Sequence, residues 1–211
     1  MIKYSNILKL SNIPFEQYLK LDGLSHSTLK SMRNGVLPDF NVTDKVRVGK
    51  IVDDIHTAKW TDITHPLYKP ARDIASCMES EIGKNVMDKL QYQNSYQSQI
   101  DANGLKMLVK GRPDAELGNL AVIDFKVTFQ KYIRRKEDLI PLIKFMGYDN
   151  QIGNYANMSD KLKIGIKYGK FLFIHSVYAN KTFFFKRLVD ELDILMMENW
   201  WENKIYEYGT I

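Results

Sequence analysis

Cysteine is almost missing from this chain: Cys77 stands alone. One thiol per chain rules out an intrachain disulfide framework, and with it any zinc or iron–sulfur centre built from clustered cysteines. That usage fits a reducing cytosol. Long apolar runs are missing as well, and none approaches the roughly 20 residues of a membrane span. The opening residues, Met1-Ile2-Lys3-Tyr4-Ser5-Asn6, lack the continuous apolar core of a secretory signal. No repeat, low-complexity tract or convincing linker divides the chain. The expectation is a soluble, cytoplasmic protein without membrane association. It is read as one domain over 1–211, with 1–45 an N-terminal arm and short helix and 46–211 the core.

What is present is ordinary in bulk and uneven in detail. At 211 residues the chain can bury a sizeable core. Thirty Lys and Arg against 25 Asp and Glu leave a formal charge of +5, a lean toward a polyanionic partner. Residues 1–23 show no clear period and are read as an arm. Ser25 or Ser27 can cap a short helix carrying Leu29 and Met32, with His26 a solvent-exposed residue in its first turn. A second helix runs from about Val46 to Trp60, where Val48, Ile51, Val52 and Ile55 make one apolar stripe. At 100° per residue Gly49, Asp53, His56 and Trp60 share its flank. They form either a solvated edge or the face of a metal or phosphate site.

Beyond the loop at Pro66–Pro70, Ala71 to about Gln91 reads as one helical region with Ile74, Met78, Ile82, Val86 and Leu90 every four residues. Asp101-Ala102-Asn103-Gly104 is a hairpin turn whose second strand continues toward Arg112. A second hairpin follows, turning at Gly118-Asn119, so three or more antiparallel strands are expected in succession. After it come Lys131, Arg134, Arg135 and Lys136, either a solvated surface or a grip on a nucleic-acid backbone. Pro141 opens a helix with Leu142, Ile143, Met146, Ile152 and Ala156 inward, and Gln151 and Tyr155 on one face. Phe171–Tyr178 and Thr182–Arg187 pair through Asn180-Lys181, with His175 a core or sheet-surface histidine. Leu188, Leu192, Leu195, Met196 and Trp200 mark a last helix.

The chemistry concentrates in residues 111–126. The run Leu120-Ala121-Val122-Ile123 is a buried strand that ends in Asp124-Phe125-Lys126. Asp124 and Lys126 project from one face and Phe125 from the other. Asp114, on the partner strand, can lie across from them. Buried charge is costly unless it is paired or put to use. A structural Asp124–Lys126 salt bridge is one reading. Metal-assisted hydrolysis of a phosphodiester is the other: two carboxylates and the Phe125 carbonyl are hard oxygen donors for Mg²⁺ or Mn²⁺, and Lys126 can orient the attacking water.

The larger order, Pro113-Asp114, Asp124-x-Lys126 and Gln151-x-x-x-Tyr155, resembles the PD-(D/E)XK nuclease superfamily. Within it the chain is similar to the exonuclease branch of RecB-type domains, lambda-type exonucleases and the RecE (exonuclease VIII) group. Leu24-Ser25-His26-Ser27-Thr28-Leu29, Lys110-Gly111-Arg112-Pro113-Asp114 and Asp124-Phe125-Lys126-Val127-Thr128 carry the likeness. The resemblance implies an α/β fold with a restriction-endonuclease-like core, a central mixed β-sheet flanked by α-helices. It implies Asp114, Asp124 and the Phe125 carbonyl as metal ligands, Lys126 as the catalytic lysine, and Gln151 and Tyr155 supporting Lys126 and a DNA phosphate. The branch places a further ligand four residues after a glycine; Asp53 after Gly49 fits, and His56 is second choice. The implied activity is Mg²⁺-dependent digestion of duplex DNA ends, of phage or prophage recombination type, in the cytoplasm of a bacterial host if phage-encoded. A single-strand annealing protein and assembly into a homo-oligomeric ring are the implied partners. The iron–sulfur subgroup is excluded by the single cysteine. An endonuclease for restriction or branched DNA, and a non-catalytic DNA-binding or assembly protein on the same fold, are the alternatives.

Overall fold

A computed structural model describes residues 3–11, 13–25, 28, 43–57, 59–92, 94–102, 105–118, 120–158 and 168–189. Its centre is β6 (Ala121–Thr128), whose first five residues are all buried. A run of that kind, apolar on both faces, suits a strand covered on both sides. β6 pairs antiparallel with β5 (Ala115–Leu117) and parallel with β7 (Tyr168–Ser176). β2 (Gln91–Tyr92) and β8 (Lys181–Val189) flank these, giving a mixed five-stranded sheet in the order β2-β5-β6-β7-β8. A second sheet, β1-β3-β4, is built from β1 (Lys3–Leu10), β3 (Ser95–Ala102) and β4 (Leu105–Gly111). Helices cover the larger sheet on both faces, so the expected mixed α/β architecture is present.

On one face, α2 (Asp44–His56) and α3 (Tyr68–Ile82) pack Val48, Ile51, Val52, Ile74 and Met78 against Ile123, Phe125 and Phe173. The other face carries α6 (Tyr148–Met158), reached from β6 through α5 (Leu139–Met146). Ile152, Tyr155, Ala156 and Met158 of α6 join Val122, Leu172 and Ile174 of the large sheet and Tyr96, Ile100 and Val109 of the small one in a single cluster. α6 is therefore clamped between two sheets. A side chain pointing from it toward β6 has little freedom.

The seam between the sheets carries a buried carboxyl that the sequence does not announce. Glu116 of β5 is fully buried and accepts hydrogen bonds from Asn94 Nδ2 at 2.6 Å and from the Tyr96 hydroxyl. Lys9 of β1 supplies the countercharge at 2.8 Å. A buried anion survives only with such a set of partners, and these tie β1 and β3 to β5.

Five expectations are corrected. The stretch 1–23, read as an arm without a clear period, holds a strand and a helix: β1 pairs with β3, and α1 (Phe15–Lys20) follows. The strands around residues 95–126 are consecutive in sequence but divide between the two sheets, because the chain crosses the seam at 112–114. The helix expected over 71–91 starts at Tyr68, with Pro70 accommodated in its first turn, and ends at Gly83, whose φ of +89° no helix continues. A four-residue helix, α4 (Lys84–Met87), and then β2 follow. The helix opening at Pro141 is likewise two helices, divided by Gly147 in the left-handed conformation at φ +69°. Most of the helix expected at 24–32, His26 included, lies outside the described residues, as does the last helix beyond Val189, but Leu188, assigned to that helix, belongs to β8.

His175 is a core histidine, 1% exposed, with Nδ1 3.2 Å from Thr182 Oγ1. Burial lowers its pKa from 6.5 to about 4. Between those values the unfolded chain binds the proton and the folded chain does not, so stability falls as pH drops through that window. Urea denaturation at pH 7 and pH 4.5 is expected to show a loss of roughly 2–3 kcal/mol in the wild type beyond that in His175→Gln. Equal losses in both would assign the acid sensitivity elsewhere.

Candidate active site

The crossing at 112–114 fixes the first acid. Arg112, preceding Pro113, is restricted to extended backbone, and Pro113 has a fixed φ, so the chain leaves β4 and enters β5 along a set path. Asp114 then stands beside β6, and its Oδ2 accepts a 2.7 Å hydrogen bond from the Phe125 amide. That bond locks the carboxylate to the strand bearing the other two groups. Asp124 is 1% exposed and ion-paired with Lys126 Nζ. Lys126 also lies 3.8 Å from Asp114 Oδ2 and donates to the Phe125 carbonyl at 3.2 Å. Phe125 points to the opposite face, against Phe173 and His56. The two-faced alternation expected of this strand is present.

The electrostatics show how crowded the site is. Burial pushes Asp124 up to about 7 even though the Lys126 ammonium pulls it down, and Asp114 adds to the rise. Asp53 of α2 is held well above the usual carboxylate range, first by burial and then by Asp114, with Lys126 opposing. Burial works against the Lys126 ammonium, but Asp124 and Asp114 outweigh it and raise its pKa. Three carboxyls thus feel one another across a poorly solvated space with one nearby ammonium. Excess negative charge of that kind is relieved by protons or by a cation.

Whether a divalent cation suits the residues present can be judged from the donors. Asp114, Asp124 and the Phe125 carbonyl offer oxygens only, the set preferred by Mg²⁺ or Mn²⁺. Asp124 Oδ2 meets Lys126, whereas its buried Oδ1 has no hydrogen-bond partner. An orphaned buried carboxylate oxygen fits a hard cation as a donor. Among the described residues, no three His, Cys, Asp or Glu side chains are gathered closely enough to hold a metal by themselves. The fitting set is therefore two carboxylates and a carbonyl, with Asp53 coupled to it from across the cleft.

The other expected residues divide. Gln151 Nε2 donates to the Tyr155 hydroxyl at 2.7 Å, and both residues line the same cleft as Asp53, His56 and Asp114. Tyr155 is held neutral, its pKa raised by burial and by Asp124. The imidazole of His56 packs on the Phe125 ring at 5.5 Å, on the face of β6 opposite Asp124 and Lys126. Lys131, Arg134, Arg135 and Lys136 do not line the cleft. Lys131 and Arg134 sit over the Tyr178 ring, Arg135 pairs with Asp138, and Lys136 covers Phe185.

The cleft, about 710 Å³, also has a wall that the sequence reading missed. α1 contributes Phe15 and Tyr18, α2 contributes Lys50, and the end of β4 contributes Lys110 and Arg112. Tyr148 was missed as well; its ring lies 5.5 Å from Lys126 Nζ. A signal existed in Lys110-Gly111-Arg112, two cations on one strand face just ahead of Asp114.

No family model and no curated protein matches this chain. Among solved structures, the chain is similar to a "putative exonuclease" from Eubacterium rectale at 17% identity and a TM-score of 0.57, over 84% of this chain and 70% of that one. That likeness shows a shared fold. A second solved structure overlays at a TM-score of 0.42 and 14% identity, over 94% of this chain and 88% of the other, too loosely to argue from. Among the described residues no helix is long and apolar enough to cross a membrane.

Gly111 makes the placement of Tyr155 testable. A Cβ there would meet Met158 Cε and would come within 2.8 Å of Tyr155 Cδ1. Gly111→Ala is expected to displace the ring and lower stability by about 1–3 kcal/mol in urea denaturation. A cost below about 0.5 kcal/mol would mean that the strand and α6 are not locked together as described.

Proposed function

We propose that this protein is a metal-dependent nuclease that hydrolyses phosphodiester bonds at the ends of duplex DNA. One observation carries the reading: a buried Asp124 carboxyl with an unpartnered oxygen, ion-paired with Lys126, set beside Asp114 and coupled to Asp53. A salt bridge for stability alone would need one acid and one base. Three coupled acids beside one ion-paired lysine exceed what a salt bridge needs, and a divalent cation would answer the excess. The shared fold with a protein described as an exonuclease supports the same class.

In this proposal Asp114, Asp124 and the Phe125 carbonyl hold Mg²⁺ or Mn²⁺. When bound, such an ion supplies Lewis-acid activation of the scissile phosphate and of the attacking water. Lys126, fixed by the Phe125 carbonyl and kept charged by its neighbours, donates to a non-bridging phosphate oxygen as negative charge builds in the transition state. The Tyr155 hydroxyl accepts from Gln151, which leaves its own proton to donate toward a phosphate. Tyr148 limits the sweep of the Lys126 side chain. The run at 131–136 would hold the duplex backbone outside the cleft.

At about 710 Å³ the cleft is on the scale of a small-ligand site, which supports a reading in which one strand of a DNA end is taken in.

With Mg²⁺ and end-labelled DNA, linear duplex is expected to be digested and covalently closed circles spared. Asp114→Ala and Lys126→Ala are each expected to lower the rate at least about 100-fold, with wild-type circular dichroism. Wild-type digestion by either variant would remove the site from the chemistry, and cleavage of closed circles would favour an endonuclease. Calorimetry with Mn²⁺ tests Asp53 separately. Asp53→Ala is expected to weaken binding about tenfold, the scale of a group supporting a metal from outside the ligand set. Unchanged affinity would leave that role to His56 or water.

A further inference from the structure

We propose that the α1 wall of this cleft binds the single-stranded end of the substrate, with Phe15 as a stacking platform for a base and Lys50 and Arg112 holding phosphates beside it. The proposal deepens the nuclease reading and depends on it for the identity of the strand. Phe15 is 44% exposed and lines the cleft, so part of its ring stays open to a base. Arg112 Cζ lies 5.6 Å from its centroid and Lys50 Nζ 5.9 Å. A part-exposed ring with two cations beside it is the local pattern of sequence-tolerant single-strand binding: the ring takes any base and the cations take the backbone.

The wall is built to hold its shape. Tyr18 is 8% exposed and stacks under Phe15, with centroids 5.9 Å apart and planes 27° from parallel. Lys110 lies over the Tyr18 ring at 5.4 Å and donates to the carbonyls of Leu19 and Leu21 at 3.1 and 2.7 Å. Arg112 donates to the Ile13 carbonyl at 3.1 Å. α1 is thus pinned at both ends by side chains from the strand that leads to Asp114. Lys110 gives its ammonium to two carbonyls, whereas Arg112 gives one guanidinium nitrogen and keeps further donors, so Lys50 and Arg112 are the cations assigned to phosphate.

Charge argues for stacking as the main grip. Glu16 and Asp54 share the cleft, and Asp54 feels both Lys50 and Lys59, so the wall is not a strongly basic patch. Arg112 is two residues from Asp114. A phosphate held there is next to the carboxylates, whereas the cations at 131–136 stand outside the cleft.

The test is fluorescence anisotropy of 3′-fluorescein-labelled dT12 with the full-length protein in EDTA, so that no turnover is needed. Wild type is expected to bind. Phe15→Ala is expected to weaken binding about tenfold, and Phe15→Tyr, which keeps a ring, to restore it. Lys50→Ala is expected to shrink the slope of log K against log salt by about 0.7, the value for one single-strand phosphate contact. Wild-type affinity in both alanine variants, with unchanged circular dichroism, would overturn the proposal. So would failure of the wild type to bind dT12 while digesting linear duplex with Mg²⁺. Tight, Phe15-dependent binding without cleavage under any divalent cation would support the strand surface and remove the nuclease reading instead.

Discussion

The Asp124 carboxyl sits on a strand covered on both faces, and a charge in that position is stable only where its surroundings answer it. Lys126 answers from two residues along the same strand face. Asp114 is brought up by a chain crossing from one sheet to the other and is fastened by the Phe125 amide. α6, wedged between the two sheets, closes the remaining side with Tyr155. Each of these elements has a packing reason of its own, but they meet where packing alone would have placed a leucine. The meeting point is under-neutralised: burial and mutual repulsion hold Asp124 and Asp53 above the ordinary carboxylate range despite Lys126.

That imbalance separates the candidate cluster from a structural one in the same molecule. Glu116 is equally buried, yet Lys9, Asn94 and Tyr96 all answer it. It stitches β5 to the smaller sheet. Asp124, farther along the same hairpin, keeps an oxygen without a partner. One buried acid is satisfied and the other is not, and the difference is the physical ground for placing the chemistry at Asp124.

Much of the site was legible because its residues lie on elements with strong periodicity. β6 is a continuous apolar run that ends in an alternating acid and base, and α2 has an unbroken stripe that fixes which flank Asp53 occupies. The division into two sheets was not legible. Hairpin signals at 101–104 and 118–119 state that strands turn, not which sheet each joins. β1 and α1 escaped because an edge strand and a six-residue helix carry too few buried residues to set a period. The cleft wall escaped for the same reason: Phe15 and Tyr18 gain meaning only when Lys110 and Arg112 are seen beside them. The breaks at Gly83 and Gly147 were visible as glycines following apolar turns, but the four-residue apolar spacing on either side concealed them.

A divalent cation beside Asp124, serving phosphodiester hydrolysis, is the proposal on which the chemistry rests. Release of acid-soluble nucleotide from uniformly labelled linear duplex, followed while free Mg²⁺ is varied, tests it. Release is expected to rise with Mg²⁺, saturate, and stop when EDTA is added. Release that persists undiminished in EDTA, or none at any concentration of Mg²⁺ or Mn²⁺, would contradict it.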